Sequence, residues 1–519
     1  MSIRARAESF LSGAYAPLAA GVITALLVAY VWQGLNGVAS YHDERAYLVQ
    51  ARLLAHFAWT APTPPLSIFF DMPHLFVEPR IFAKYPPGHA PLLVPGLWLG
   101  LPGLIPVIFS GITGALTFAL ARKLAGVSIA LGAWGLWTVS PETLDWHSSY
   151  FSETTTSALW LIVISALLLW RERERPWVLA LIVGGVAWMG ITRPVSGIAL
   201  GIPIGAVVIY TAWQRRSLLG WKRSALIGAV ICSIVPYWAS ATLGSPTSLP
   251  YAEYSRWYFP WDMPGFVRDT SPPLRELPPD FEALAKATRR AYDGHVASAM
   301  PGNFVRRAYW VSNTSLGPIA QSLLVFVPLG LIAVGGGVAL FAAASYGALI
   351  AAYLVMPHAA GWTIYYLEIF PLVPFFAMVG FSWFAVRVCE VAARMQWSLF
   401  TPRVLTAASF VIPAALILMT ARKIPARQWH EAVRSSRQEQ ARTLITELKD
   451  PRAVIFVRRN GPFSPHFTLW DILGDPATTP TWIVRDLGDA RNAELVKVAG
   501  GRTPYLLDEG RMTLVLYAP

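Results

Sequence analysis

About eleven stretches of the chain are apolar over roughly the 17 to 25 residues that a helix needs to cross ~30 Å of hydrocarbon. They lie near 17–36, 103–121, 126–141, 154–170, 176–192, 196–213, 224–243, 317–335, 337–356, 366–386 and 404–421. This pattern constrains the fold more than any other feature. It predicts an α-helical polytopic membrane protein, and the composition agrees: 55% of residues are hydrophobic, only 14% are charged, and the mean hydropathy is +0.45. The segment "APLLVPGLWLGL", 90–101, is too short to cross alone and reads as a dipping or interfacial helix. The first run, Pro17 to Leu35, is long for a signal sequence and lacks a small-x-small cleavage site, so it reads as a retained helix.

The formal net charge of +12 does not point to nucleic acid, because Lys and Arg gather in short clusters between apolar runs. Arg122/Lys123, "RERER" at 171–175, "QRRSLLGWKR" at 214–223, and Arg387, Arg394 and Arg403 all fall on one side if the N-terminus, flanked by Arg4 and Arg6, is cytoplasmic. The expected location is the cytoplasmic membrane. The same count places a first loop (37–90), a second loop (244–316) and the tail outside. The expected division is therefore a transmembrane domain over 1–421 and an extracytoplasmic domain over 422–519. That tail reads as a small α/β domain, a polar helix followed by "AVIFVRR", "TWIVRDLG", "TPYLLDEG" and "MTLVLYAP". The two cysteines, Cys232 and Cys389, lie in or beside spans and make neither a disulfide framework nor a CxxC site.

The chemistry is expected at the outer ends of the spans. Asp43 and Glu44 follow the first span and open an amphipathic helix carrying Tyr47, Ala51, Leu54 and Phe57. Helix capping would explain both acids, yet a carboxylate at a membrane-edge cleft also suits a general base. "RIFAKYPPGHAPLL" places Lys84 and Tyr85 before a Pro-Pro-Gly turn, where a cation can meet a lipid phosphate or serve as an interfacial anchor. "SPETLDWHSSYFSETTT" carries Glu142, Asp145 and His147 and then Glu153 where the next span begins, a cap or a site-facing acid. Arg193 in "GITRPVSG" sits at the outer end of a span, where a cation requires an anion or a route to water. "PHAAGWTIYYLEIFPLVP" brings His358, Tyr365, Tyr366 and Glu368 to the same face, and Glu368 is its least expected member.

Metal chemistry is disfavoured: His42, His56, Asp71, His74, Glu78 and His89 share the first loop but have neither HExxH nor facial-triad spacing. Walker A, GxGxxG and GxSxG motifs are absent as well, which argues against a soluble-nucleotide donor or a serine hydrolase.

Four motifs in order, "YHDERAYLVQARLL", "KYPPGHAPLL", "YFSETTTSALW" and "TRPVSG", resemble the polytopic GT-C glycosyltransferases. The likeness is to the dolichyl-phosphate-mannose protein mannosyltransferases and their bacterial relatives, including the lipid A aminoarabinose transferases, and it covers about residues 15 to 210. It implies inverting transfer of a sugar from a polyprenyl-phosphate carrier to a glycan, lipid or protein acceptor on the outer membrane face. By motif, Asp43 is implied as the general base, with Glu44 beside it and Glu153 as a second acid where the family often has Asp. Lys84, Tyr85 and Arg193 are implied at the donor phosphate, and His89, His147, Tyr365, Tyr366 and Glu368 are further candidates for the substrate cleft. Ala83 stands where some relatives have a metal-binding glutamate, so no metal ligand is assigned. Two other functions are consistent with a chain of this kind, a lipid or solute transporter and a non-catalytic envelope scaffold. The transporter would put paired charges in mid-span, whereas here they gather at outer ends.

Overall fold

The computed structural model describes residues 9–266, 269–292, 294–395, 402–450, 452–459 and 479–519. Arg4 and Arg6, expected to orient the first span, lie outside the described residues.

Eight helices among the described residues are long and apolar enough to cross a membrane. Three shorter apolar helices, Tyr15–Val31, Val127–Val139 and Pro176–Thr192, occupy the remaining predicted positions. The protein is a multi-pass membrane protein. Two predicted starts differ from the structure. The span expected from 317 is approached by a helix beginning at Met300, with a break at Gly317 (φ 72°) before Pro318. A left-handed residue followed by proline interrupts the hydrogen-bond ladder there, and a short 3-10 turn leads into the helix Val327–Val334. The span expected from 366 begins only at Leu372, because Thr363–Ile369 is a 3-10 helix leading to Pro371.

Three of the basic clusters, at 122–123, 171–175 and 214–223, meet at one end of the bundle. Lys123 pairs with Glu172, Arg215 donates to the carbonyls of Trp170 and Arg171, and Glu174 accepts from Ser217 and the Leu219 N–H. The opposite end carries the polar pieces that matter for function. Here the helix His42–Ala55 leads into a three-stranded sheet of β1 (Ala61–Pro62), β2 (Leu75–Phe76) and β3 (Arg80–Ala83), ordered β1-β3-β2. The Pro-Pro-Gly turn then enters the nine-residue helix Ala90–Trp98, the short helix expected over 90–101.

The tail forms a helix, Ile424–Glu447, and a four-stranded sheet of β4 (Ala453–Arg458), β5 (Trp482–Arg485), β6 (Thr503–Asp508) and β7 (Thr513–Leu516), ordered β5-β4-β6-β7. β4 pairs in parallel with both β5 and β6, with Ile455 opposite Ile483 and Tyr505. Strands flanked on both sides and covered on both faces need apolar residues at every position, which explains the unbroken run "AVIFV". Its alternate residues serve two cores. Ala453, Ile455 and Val457 pack with Ala46, Val49 and Leu53 of the helix that carries Asp43, whereas Val454 and Phe456 pack with Phe69, Phe70 and Val77 of the first loop.

The middle loop joins the same assembly through an aromatic core in which Phe76 and Phe82 pack with Tyr254, Tyr258, Phe259 and Trp261. A buried carboxylate ties all three outer pieces together. Asp71 of the first loop accepts from Arg275 of the middle loop at 3.1 Å and from the Tyr258 hydroxyl at 3.3 Å, while its backbone carbonyl accepts from Arg485 of β5 at 2.8 Å. Three residues farther on is His74, beside Asp43.

Candidate functional site

The start of the helix His42–Ala55 separates the acidic pair. Adjacent helical residues point about 100° apart, so Asp43 and Glu44 face different surroundings. Glu44 is buried and its oxygens are engaged: one accepts from the backbone N–H groups of Ser40 (2.7 Å) and Tyr41 (2.8 Å), the other from that of Tyr150 (2.9 Å). Burial pushes its carboxyl up to about 7 despite these three donors. Glu44 therefore caps the helix and bolts it to the segment before Glu153.

Asp43 stays partly open, with 28% of its side chain exposed. The Tyr85 hydroxyl donates to Oδ1, and the other oxygen lies 3.6 Å from His74 Nε2. Burial holds the His74 imidazole well below its usual range. Tyr85 stacks on Tyr47 at 4.6 Å, and the Tyr47 hydroxyl is 2.9 Å from Ser152, a link to the second polar group.

Lys84 is the unusual cation: its side chain is 2% exposed. Its ammonium sits over the rings of Tyr251 (4.5 Å), Tyr254 (5.0 Å) and Tyr85 (5.4 Å), and the nearest carboxylate oxygen is that of Asp262 at 3.9 Å. Rings stabilise a cation through their quadrupole, but they do not replace its hydrogen bonds to water. Burial pushes the Lys84 amine down and the Asp262 carboxyl up from their ordinary values. Tyr85 joins the two groups, its ring beside the Lys84 ammonium and its hydroxyl donating to Asp43.

The turn that presents Lys84 is fixed from below. Gly88 N–H donates to the Ile191 carbonyl at 3.0 Å, and the Trp188 indole donates to the Gly88 carbonyl at 2.9 Å. A Cβ on Gly88 would come within 2.3 Å of Thr192 Oγ1 and 2.8 Å of its backbone nitrogen. Gly88→Ala is therefore expected to cost about 1–3 kcal/mol through overpacking, read as a lower apparent melting temperature.

Glu153 and Arg193 form the second polar group. Arg193 Nη1 lies 2.6 Å from Glu153, Nε and Nη2 donate to the Tyr353 hydroxyl at 3.1 and 2.8 Å, and its guanidinium lies 5.3 Å from the Tyr365 ring. Glu368 joins them: Thr156 donates to Oε1 at 2.6 Å, and Oε2 is buried with no hydrogen-bond partner among the described residues. Burial raises the Glu368 carboxyl.

The structure thus brings Asp43, Lys84 and Tyr85 together, links them through Tyr47 and Ser152 to Arg193 and Glu153, and sets Tyr365 against Arg193. His89, His147 and Tyr366 lie in the scaffold. His89 is fully buried, with Nε2 donating to the Tyr150 carbonyl and Nδ1 accepting from Thr155, each at 2.9 Å. His147 Nδ1 is 2.9 Å from Ser110, and Tyr366 OH is 3.0 Å from His358. No group of three or more His, Cys, Asp or Glu side chains among the described residues is arranged to hold a metal. Tyr251, Tyr254, Asp262 and Tyr292 of the middle loop, and Tyr353, are absent from the sequence-based candidates. The dense "YAEYSRWYFPWD" was the available signal.

No protein-family model and no curated protein matches the chain. Among solved structures it is similar to ArnT from Cupriavidus metallidurans in the apo state, with 13% identity and a TM-score of 0.50 over 94% of this chain and 92% of that one. The chain has a GT-C fold. The same protein bound to undecaprenyl phosphate aligns over 96% of this chain and 93% of its own, at 13% identity and a TM-score of 0.48. The oligosaccharyltransferase AglB from Archaeoglobus fulgidus, in complex with an inhibitory peptide and a dolichol-phosphate, aligns over 95% of this chain and 69% of its own, at 11% identity and a TM-score of 0.44.

Proposed function

We propose that this GT-C-fold protein is an inverting glycosyltransferase that moves a sugar from a polyprenyl-phosphate carrier to a hydroxyl acceptor on the outer face of the cytoplasmic membrane. The observation that carries the proposal is the pairing of a partly open carboxylate, Asp43, with a buried cation, Lys84, on either side of Tyr85. In this reading Asp43 takes the proton of the acceptor hydroxyl while that oxygen bonds to the anomeric carbon. The bond from that carbon to the phosphate oxygen breaks, its electron pair stays on the phosphate, and Lys84 stabilises the charge that develops. A phosphate leaving group needs no proton, which fits a site with one open carboxylate and one cation.

Tyr85 orients the base, and Glu44 fixes the helix that bears it. Glu153, Arg193 and Glu368 hold the site wall, with the guanidinium directed to Glu153 and Tyr353. The basic end of the bundle faces the cytoplasm, and the tail domain packs on the outer side against the first loop.

Two results test the proposal. Purified protein in proteoliposomes, given radiolabelled polyprenyl-phosphate sugars and envelope extract, is expected to form a product inverted at the anomeric carbon. Retention, or no transfer from any lipid-linked donor, contradicts it. Lys84→Ala is expected to raise the donor KM roughly tenfold or more, the scale of losing one charge-assisted contact of about 1.5–3 kcal/mol. An unchanged dependence on donor concentration removes Lys84 from the phosphate site.

A further inference from the structure

Lys84 carries three N–H donors on a side chain that is 2% exposed, and the carboxylate paired with it lies beyond hydrogen-bond distance. A buried ammonium cannot remain charged without an anion, and the carboxylate of Asp262, at 3.9 Å, is close enough to neutralise it but too far to satisfy its donors. Asp262 has a second partner already in place, because the Tyr292 hydroxyl donates to its other oxygen at 3.0 Å. It also projects from a 3-10 turn, Pro260–Asp262, anchored by buried Phe259 and Trp261 in the aromatic core. The carboxylate is thus held next to the cation by a rigid wall, yet bound to it only loosely.

We propose that Asp262 is the resident counter-ion of Lys84, which the donor phosphate displaces on binding and which returns when the carrier leaves. The proposal rests on the reading of Lys84 as the donor-phosphate cation. Two anions cannot both lie against one ammonium without repelling each other. As phosphate takes the three donors, Asp262 keeps the Tyr292 hydroxyl as its hydrogen-bond partner. Asp262 is a positioning residue: it holds Lys84 aimed in the empty site, and it competes with the ligand for the same charge. Each turnover ends with polyprenyl phosphate bound at Lys84, and a built-in competing anion favours its release.

Equilibrium binding of sugar-free undecaprenyl phosphate to the detergent-solubilised full chain tests this exchange. Asp262→Asn is expected to bind the lipid more tightly than wild type, by roughly tenfold or about 1.4 kcal/mol. Asp262→Glu, which keeps the charge, is expected to bind as wild type does. Tyr292→Phe removes the alternative partner and is expected to bind more weakly. A purely structural role for Asp262 would weaken binding in Asp262→Asn and leave the other two variants without this pattern. If Lys84→Ala weakens binding while Asp262→Asn binds no more tightly than wild type, the counter-ion proposal is overturned and the donor-site reading stands. If Lys84→Ala leaves binding unchanged, the donor-site reading falls and this proposal falls with it. Should Asp262→Asn not fold, Tyr292→Phe decides, and unchanged or tighter binding in that variant overturns the exchange.

Discussion

Asp43→Asn is expected to lower the rate of sugar transfer by about 10²- to 10⁴-fold, the usual contribution of a general base. Its fold and donor binding should stay close to wild type. Asparagine has the same shape and its amide oxygen can still accept from Tyr85, so the hydrogen bond that orients the side chain survives. What disappears is the basic oxygen beside His74. The comparison must therefore separate rate from affinity. A variant that binds the donor normally, melts normally and fails to transfer identifies Asp43 with the chemical step.

The largest effect on stability is expected at Arg193. Arg193→Ala leaves Glu153, 2% exposed, without its cation and removes two hydrogen bonds to the Tyr353 hydroxyl. Removing one member of a buried ion pair costs about 3–5 kcal/mol, because the remaining charge stays desolvated. The variant should lose apparent melting temperature and yield far more than Gly88→Ala does. Arg193→Lys should recover only part of the loss, since a single ammonium cannot reach both Glu153 and Tyr353 in the geometry of a planar fork. The double variant Arg193→Ala with Glu153→Gln should be more stable than Arg193→Ala alone, and the absence of that recovery would show that the ion pair is not what holds this wall.

The architecture was legible because long apolar runs leave few alternatives: the helices lie where hydropathy places them, and three of the basic clusters meet at one end of the bundle. The ends of the helices were less legible. Gly317-Pro318 and Pro371 redirect the chain inside apolar stretches, and hydropathy does not register a change of backbone direction. At the site, Asp43, Lys84 and Tyr85 could be found because they share one loop with a turn motif. The local cap of Glu44 on Ser40 and Tyr41 was within reach of the sequence, but its third donor, the N–H group of Tyr150, lies 106 residues beyond it and was not. Asp262 and the tyrosines around Lys84 were missed for a related reason. On a membrane protein, tyrosines near span ends read as belt residues, and only the fold brings the middle loop over the cation in the first.

The tail forms the small α/β unit its sequence suggested, and both faces of its sheet pack against the first loop, with Arg485 holding the Asp71 carbonyl three residues before His74. Its packing ties it to the segment that shapes the site.

The central claim is that Asp43 is the base for transfer from a polyprenyl-phosphate sugar. The most direct test is the initial rate of transfer from a radiolabelled polyprenyl-phosphate sugar to extracted envelope acceptors, measured for wild type and Asp43→Asn side by side at saturating donor. The account predicts transfer by the wild type and at least about a hundredfold loss in the variant. Equal rates in the two proteins would contradict it.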